Sequence, residues 1–149
     1  MAVLLVILAA ASGCVIAARI TLLIVTVRGG SMHPTFHHGD RVLVARRGPR
    51  ALAKDVVVLV RLPEALNPTG SRNGPSLVLK RVVALPGDTA PGGVPVPPGH
   101  VFVVGDAEDS YDSRHFGPLQ NDLVQGVVLT RLRKAPQPAT RILRDRRMS

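Results

Sequence analysis

A serine in a glycine-rich turn and a lysine in an apolar strand can together hydrolyse an amide bond, and this chain holds one such pair. Ser31 lies in Gly29-Gly30-Ser31-Met32-His33-Pro34-Thr35, directly after the apolar run Ile20–Val27. Lys80 lies in Leu77-Val78-Leu79-Lys80-Arg81-Val82-Val83-Ala84-Leu85, which ends in the turn Pro86-Gly87-Asp88. A free lysine has a pKa near 10.4 and is protonated at neutral pH. Burial among Leu77, Leu79, Val82 and Val83 would disfavour the ammonium and lower that value. A neutral Lys80 could take the Ser31 proton and later pass it to a leaving amine. Lys54 sits beside Asp55 in a polar turn and Lys134 in a basic stretch, so neither has surroundings that would neutralise it. The plainer alternative for Lys80 is a side chain whose stem lies on apolar surface while its head reaches water.

Histidines offer a competing base. His33, His37 and His38 crowd the serine turn, and His100 and His115 follow later; a Ser–His arrangement with Asp40 or Asp112 as orienter is possible in principle. The first three stand too close in sequence for a familiar tetrahedral metal set, so neither a metal nor another cofactor is expected.

The elements that must position this chemistry are mainly strands. Val, Gly and Pro are abundant and long helical patterns are few, which favours a β-rich fold. Strands are expected over Thr21–Arg28, Arg41–Ala45, Val56–Arg61, Ser76–Leu85, Val101–Val104 and Leu123–Leu132. Pro63–Pro75 reads as a surface loop, Ala90–Gly99 as an irregular connection and Asp106–Gly117 as a polar loop. Ala2–Ala18 carries no charge and approaches the length of a bilayer span. The expected organisation is a membrane anchor over 1–19, a catalytic core over 20–134 and a basic, poorly ordered tail over 135–149.

Charge narrows the partners. The formal net charge is +9, but Arg131–Ser149 alone holds six Arg and one Lys against Asp145. A solvated terminus or attraction to anionic membrane lipid explains this bias. With three Phe, one Tyr and no Trp there is little to stack bases, so no nucleic-acid partner is expected. Cys14 is the single cysteine, which excludes an intrachain disulfide. Its surroundings, Ala11-Ser12-Gly13-Cys14, resemble a lipoprotein cleavage box only faintly.

Four segments in order resemble the boxes of the type I signal peptidases, a serine–lysine family. They are Gly30-Ser31-Met32-His33-Pro34-Thr35, Gly39-Asp40-Arg41-Val42-Leu43-Val44, Lys80–Asp88, and Gly105-Asp106 followed by Ser110–Gly117. The resemblance implies a signal-peptidase-like (LexA-type) β-barrel or coiled β-sheet core with one N-terminal transmembrane helix. It also implies a membrane-anchored serine endopeptidase that removes N-terminal signal peptides or propeptides. Ser31 would be the nucleophile, Lys80 the general base, and Ser110 the residue that orients the lysine amine. Asp112 and Arg114 would form a supporting salt bridge, with both side chains on one side of an extended segment. Gly30, Ser31 and Met32 would form the oxyanion and substrate-groove region, with the Ser31 main-chain N–H in the oxyanion hole. Substrates would be precursors with small residues at the cleavage site, bound by strand addition.

Three departures stand out. Gly29 replaces the serine or threonine common two places before the nucleophile, and Ala107 replaces an asparagine in a fourth box one residue short. The short Asp55–Lys80 interval leaves no room for a large extra β-domain. Small size also resembles the maturation proteases of nickel-type superoxide dismutase, which would make the substrate a dedicated propeptide. A catalytically weak anchored scaffold is the non-enzymatic alternative. A LexA-like repressor would need a helix-turn-helix that the first twenty residues do not provide. Counting charges alone would keep the domain inside the cell; the resemblance implies the outer face of the plasma membrane.

Overall fold

The computed structural model describes residues 21–46, 52–66 and 76–134. Among these residues nine strands follow one another: β1 (Leu22–Thr26), β2 (Arg41–Ala45), β3 (Val57–Leu62), β4 (Ser76–Ala84), β5 (Thr89–Ala90), β6 (Val94–Pro95), β7 (His100–Val104), β8 (Leu119–Gln120) and β9 (Val124–Arg133). One short helix, α1 (Ser113–Phe116), precedes β8.

The sequence of β3, VVLVRL, sets the centre of the fold. Successive strand residues point to opposite faces, so a strand apolar at nearly every position is buried on both. Val57 and Leu59 join Val42, Val44, Met32, Phe36 and Leu79 in one cluster. Val58, Val60 and Leu62 join Val82, Val101, Val103 and Leu119 in another. Arg61 alone in this strand is exposed.

Seven strands form one sheet in the order β1-β2-β9-β3-β4-β7-β8, with every neighbouring pair antiparallel. The last strand thus lies between β2 and β3 and joins the serine end of the chain to the lysine end. Gly126 permits this close packing, since a Cβ there would stand 2.4 Å from the Ala45 carbonyl oxygen. Register shifts interrupt the β2–β9, β3–β9 and β4–β7 ladders. Such irregularities bend strands and increase local twist. As a result β1 and the first half of β4 line the same groove. Ser76–Lys80 pairs with β3 on one edge, and pairing with β7 begins only at Arg81. The other edge of Leu77–Lys80 therefore carries no partner strand among the described residues.

The main-β expectation holds, and the six expected strands appear within one or two residues at most ends. Three readings need correction. Ala90–Gly99 is not wholly irregular: Val94 pairs with Ala90, and Pro95 with Thr89, in a two-stranded ribbon. The Asp106–Gly117 loop contains α1, because Asp112 caps its first turn. The basic stretch after 130 is not all tail, for Arg131 and Arg133 belong to β9. Among the described residues no helix is long and apolar enough to cross a membrane. The anchor expected over 1–19 and the tail expected over 135–149 lie outside the described residues, as does most of the Pro63–Pro75 loop.

Candidate active site

Three segments meet at one end of the groove: the turn after β1, the middle of β4, and the loop between β7 and α1. The groove, of about 890 Å³, is lined among others by Ser31, Met32, Leu79, Lys80 and Tyr111. Both Ser31 and Lys80, assigned to chemistry from sequence, thus face one space. Met32 lines it too, and its remaining surface is buried against Val27 and Phe36. Gly30 does not line it, whereas Gly29 does.

The serine turn is closed by its own backbone. His33 N donates to Gly30 O at 2.9 Å and Phe36 N to Met32 O at 2.8 Å. Gly29 adopts φ +82°, a left-handed conformation in which a side chain is strained, and its N–H donates to His38 Nδ1 at 3.2 Å. The local backbone thereby accounts for glycine at this position.

Lys80 shares a face of β4 with Val78 and Val82, and it is 2% exposed. Its Nζ donates to Ser110 Oγ at 2.5 Å and to the Tyr111 carbonyl at 2.8 Å. Burial lowers the Lys80 pKa below the ordinary lysine value; the Asp112 carboxylate opposes this and Arg114 adds to it. An amine with two N–H groups already donated keeps its lone pair for a proton. On a groove that a serine also lines, such an amine suits general-base catalysis.

The loop that carries Ser110 is pinned from both sides. Ala107 N donates to Ser31 O at 3.1 Å. Gly105 N donates to Asp112 Oδ2 at 2.7 Å, and Arg114 reaches the same carboxylate through Nε at 2.9 Å and Nη2 at 2.8 Å. Burial on its own would raise the Asp112 pKa, but the Arg114 side chain and the Gly105 and Arg114 N–H groups hold it below the usual carboxylate range. The expected Asp112–Arg114 pair is therefore present, with a different geometry. The pair bridges the cap and first turn of α1 rather than one side of an extended strand.

Residue roles that sequence reasoning missed lie next to those it found. Arg81 follows Lys80 and clamps Asp106 through Nε at 2.8 Å and Nη2 at 2.6 Å. Thr35 Oγ1 also donates to Asp106, at 2.5 Å, so β4, the serine turn and the 105–106 segment share one polar knot. The Arg81 hydrogen bond, with that of Thr35, keeps the Asp106 pKa low against burial. On the far side of the turn Arg131 donates to the Thr35 carbonyl, lies 4.9 Å from the Phe36 ring centroid and pairs with buried Asp40 at 3.4 Å. The adjacency of Arg81 to Lys80 was a usable signal; the Arg131 contacts depend on β9 lying beside β2 and had none.

Comparison with known proteins shows the family. The model of the family described as signal peptidase, peptidase S26, matches residues 1–91 and 89–132. The chain belongs to the signal peptidase family. It is a member of a family of serine peptidases, which cut peptide bonds by hydrolysis. It is 37% identical over 119 residues to the mitochondrial ATP-independent inner membrane protease subunit 1b of Arabidopsis thaliana, covering 70% of this chain and 66% of that protein. With the mitochondrial inner membrane protease subunit 1 of Schizosaccharomyces pombe the identity is 30% over 130 residues, covering 78% of this chain and 77% of the other. Signal peptidase I V of Bacillus subtilis is 28% identical over 145 residues, covering 68% of this chain and 80% of its own. The chain thus spans just under two thirds of the Arabidopsis relative's length. In this signal peptidase family member, the Ser31 turn, the Lys80 strand and the 105–117 segment all fall within the matched residues.

Proposed function

We propose that the chain is a membrane-anchored serine endopeptidase that removes N-terminal signal peptides or propeptides, with Ser31 as nucleophile and Lys80 as general base. The observation that carries this reading is a buried amine, held by Ser110 Oγ and the Tyr111 carbonyl, lining the same groove as Ser31. Neutral Lys80 takes the Ser31 proton as Oγ attacks the scissile carbonyl. The Ser31 N–H stabilises the oxyanion. The resulting ammonium then protonates the leaving amine as the C–N bond breaks. Water hydrolyses the acyl-enzyme with Lys80 again acting as base, which frees Ser31. Asp112 and Arg114 keep the Ser110–Tyr111 segment in place. The edges of β1 and Leu77–Lys80 left open among the described residues suit a substrate strand lying between them, and apolar groove walls suit small side chains.

Cleavage in detergent of a secretory precursor with an Ala-x-Ala site, and of a nickel-type superoxide dismutase precursor, tests this. Wild type cuts at least one, and Ser31→Ala loses roughly 10³-fold or more. Cleavage surviving in Ser31→Ala would overturn the assignment, and the preferred precursor separates general from dedicated processing. Membrane anchoring accords with relatives named as inner membrane proteases. We place the catalytic domain on the outer face of the plasma membrane. External protease added to spheroplasts should degrade it; a domain protected until the membrane is broken would reverse the orientation.

A further inference from the structure

The second acceptor of the Lys80 amine is itself held by a residue outside the dyad. The Tyr111 carbonyl that receives Nζ belongs to the same peptide unit as the Asp112 N–H. That N–H donates to His115 Nδ1 at 3.4 Å, closing the capping box of α1. The His115 ring also stacks on Tyr111, with 5.0 Å between centroids and 27° between planes. Tyr111 in turn lines the groove.

A peptide unit is planar, so fixing its N–H fixes the direction of its carbonyl. Engaging the N–H also polarises the unit and makes the carbonyl a better acceptor. The Lys80 amine turns freely about its last bond unless two acceptors hold it. Ser110 Oγ is one and the Tyr111 carbonyl the other. We propose that His115 is a positioning residue which, through the Tyr111–Asp112 peptide, sets the carbonyl that aims the Lys80 lone pair. This rests on Lys80 being the base. His115 is exposed and touches neither Ser31 nor Lys80 in the described contacts, so replacing it need not disturb the core. Its ring nitrogen occupies the third helical position, where Glu or Gln ordinarily completes a capping box.

Two substitutions separate the ring from the acceptor. His115→Phe keeps a ring on Tyr111 and removes the acceptor; His115→Gln restores an acceptor without the ring. In His115→Phe, kcat falls about fivefold or more at unchanged KM, a loss on the scale of one modest hydrogen bond. The acid limb of kcat/KM moves to lower pH, because a weakened carbonyl holds the Lys80 ammonium less well. In His115→Gln both kcat and the acid limb return to wild-type values. A His115→Phe enzyme with unchanged kcat and acid limb would overturn the proposal. So would a His115→Gln enzyme as slow as His115→Phe, or a kcat loss in both that merely follows a lower melting temperature. Lys80→Ala, assayed alongside, distinguishes the two levels: activity there would refute the base assignment, whereas an inactive Lys80→Ala beside an unaffected His115→Phe would refute only the role of His115.

Discussion

Lys80→Met is expected to abolish peptide-bond cleavage and, in the same protein, to erase a rise of stability with pH that the wild type shows. Methionine resembles the lysine stem in length and shape but has no base, so activity falls by the roughly 10²–10⁴-fold that general-base catalysis supplies. The stability effect follows from the lowered pKa of the buried amine. Unfolded, Lys80 titrates near 10.4; folded, it titrates lower. Between those two values the unfolded chain holds a proton that the folded chain has released. Stability therefore rises with pH across that window and is flat, for this group, above it. Below the folded value the destabilising contribution is fully present. Methionine has no proton to exchange, so the wild type gains on Lys80→Met as pH climbs from the folded value toward about 10.4. Paired thermal melts between pH 7 and pH 10, alongside the cleavage assay, measure both effects. A parallel pH dependence in the two proteins would mean that the amine is not driven toward neutrality. Activity within tenfold of wild type would mean that another group is the base.

Much of this site is legible before folding because its chemistry sits in strands with local signals. Arg41–Ala45 appears with its expected bounds, since a short apolar run rich in Val, Val42–Ala45, fits a largely buried strand. Lys80 stands out as a charge inside Leu77–Leu85, and burial of that strand does the rest. What sequence did not carry is non-local. Two-residue strands such as β5 and β6 have no periodicity of their own, and Pro95 argues against a strand until its pairing with Thr89 is seen. Asp112 had a capping signal in Asp-Ser-Arg-His, but reading Asp112 and Arg114 as an extended pair obscured it. Arg131 looked like one more charge in a basic terminus. Only the packing of β9 against β2 brings it to Asp40, Phe36 and the Thr35 carbonyl.

Gly105→Ala is expected to cost about a hundredfold in kcat/KM while the protein still folds, because this glycine is where the serine turn and the Ser110 loop touch. A Cβ at residue 105 would lie 2.0 Å from Ser110 Oγ, 2.5 Å from Ser110 Cβ and 2.5 Å from the Ser31 carbonyl oxygen. Two of these neighbours are not flexible tips, so the backbones themselves must separate. Ser110 carries the hydroxyl that receives Lys80 Nζ, and the Ser31 peptide is tied to the same loop through Ala107 N. A displacement near 1 Å between nucleophile and base can cost about 10²-fold. The stability loss should be smaller in consequence, about 1–3 kcal/mol, the usual scale of overpacking. Gly105 is not in a left-handed conformation, so crowding rather than backbone strain is the cause. Adding Ser110→Ala to Gly105→Ala removes the 2.0 Å clash but leaves the other two. The double variant should recover part of the melting temperature and none of the activity. Full activity in Gly105→Ala would mean that the serine turn and the Ser110 loop need not be in contact for cleavage. A stability loss without an activity loss in the surviving folded protein would assign Gly105 to packing alone.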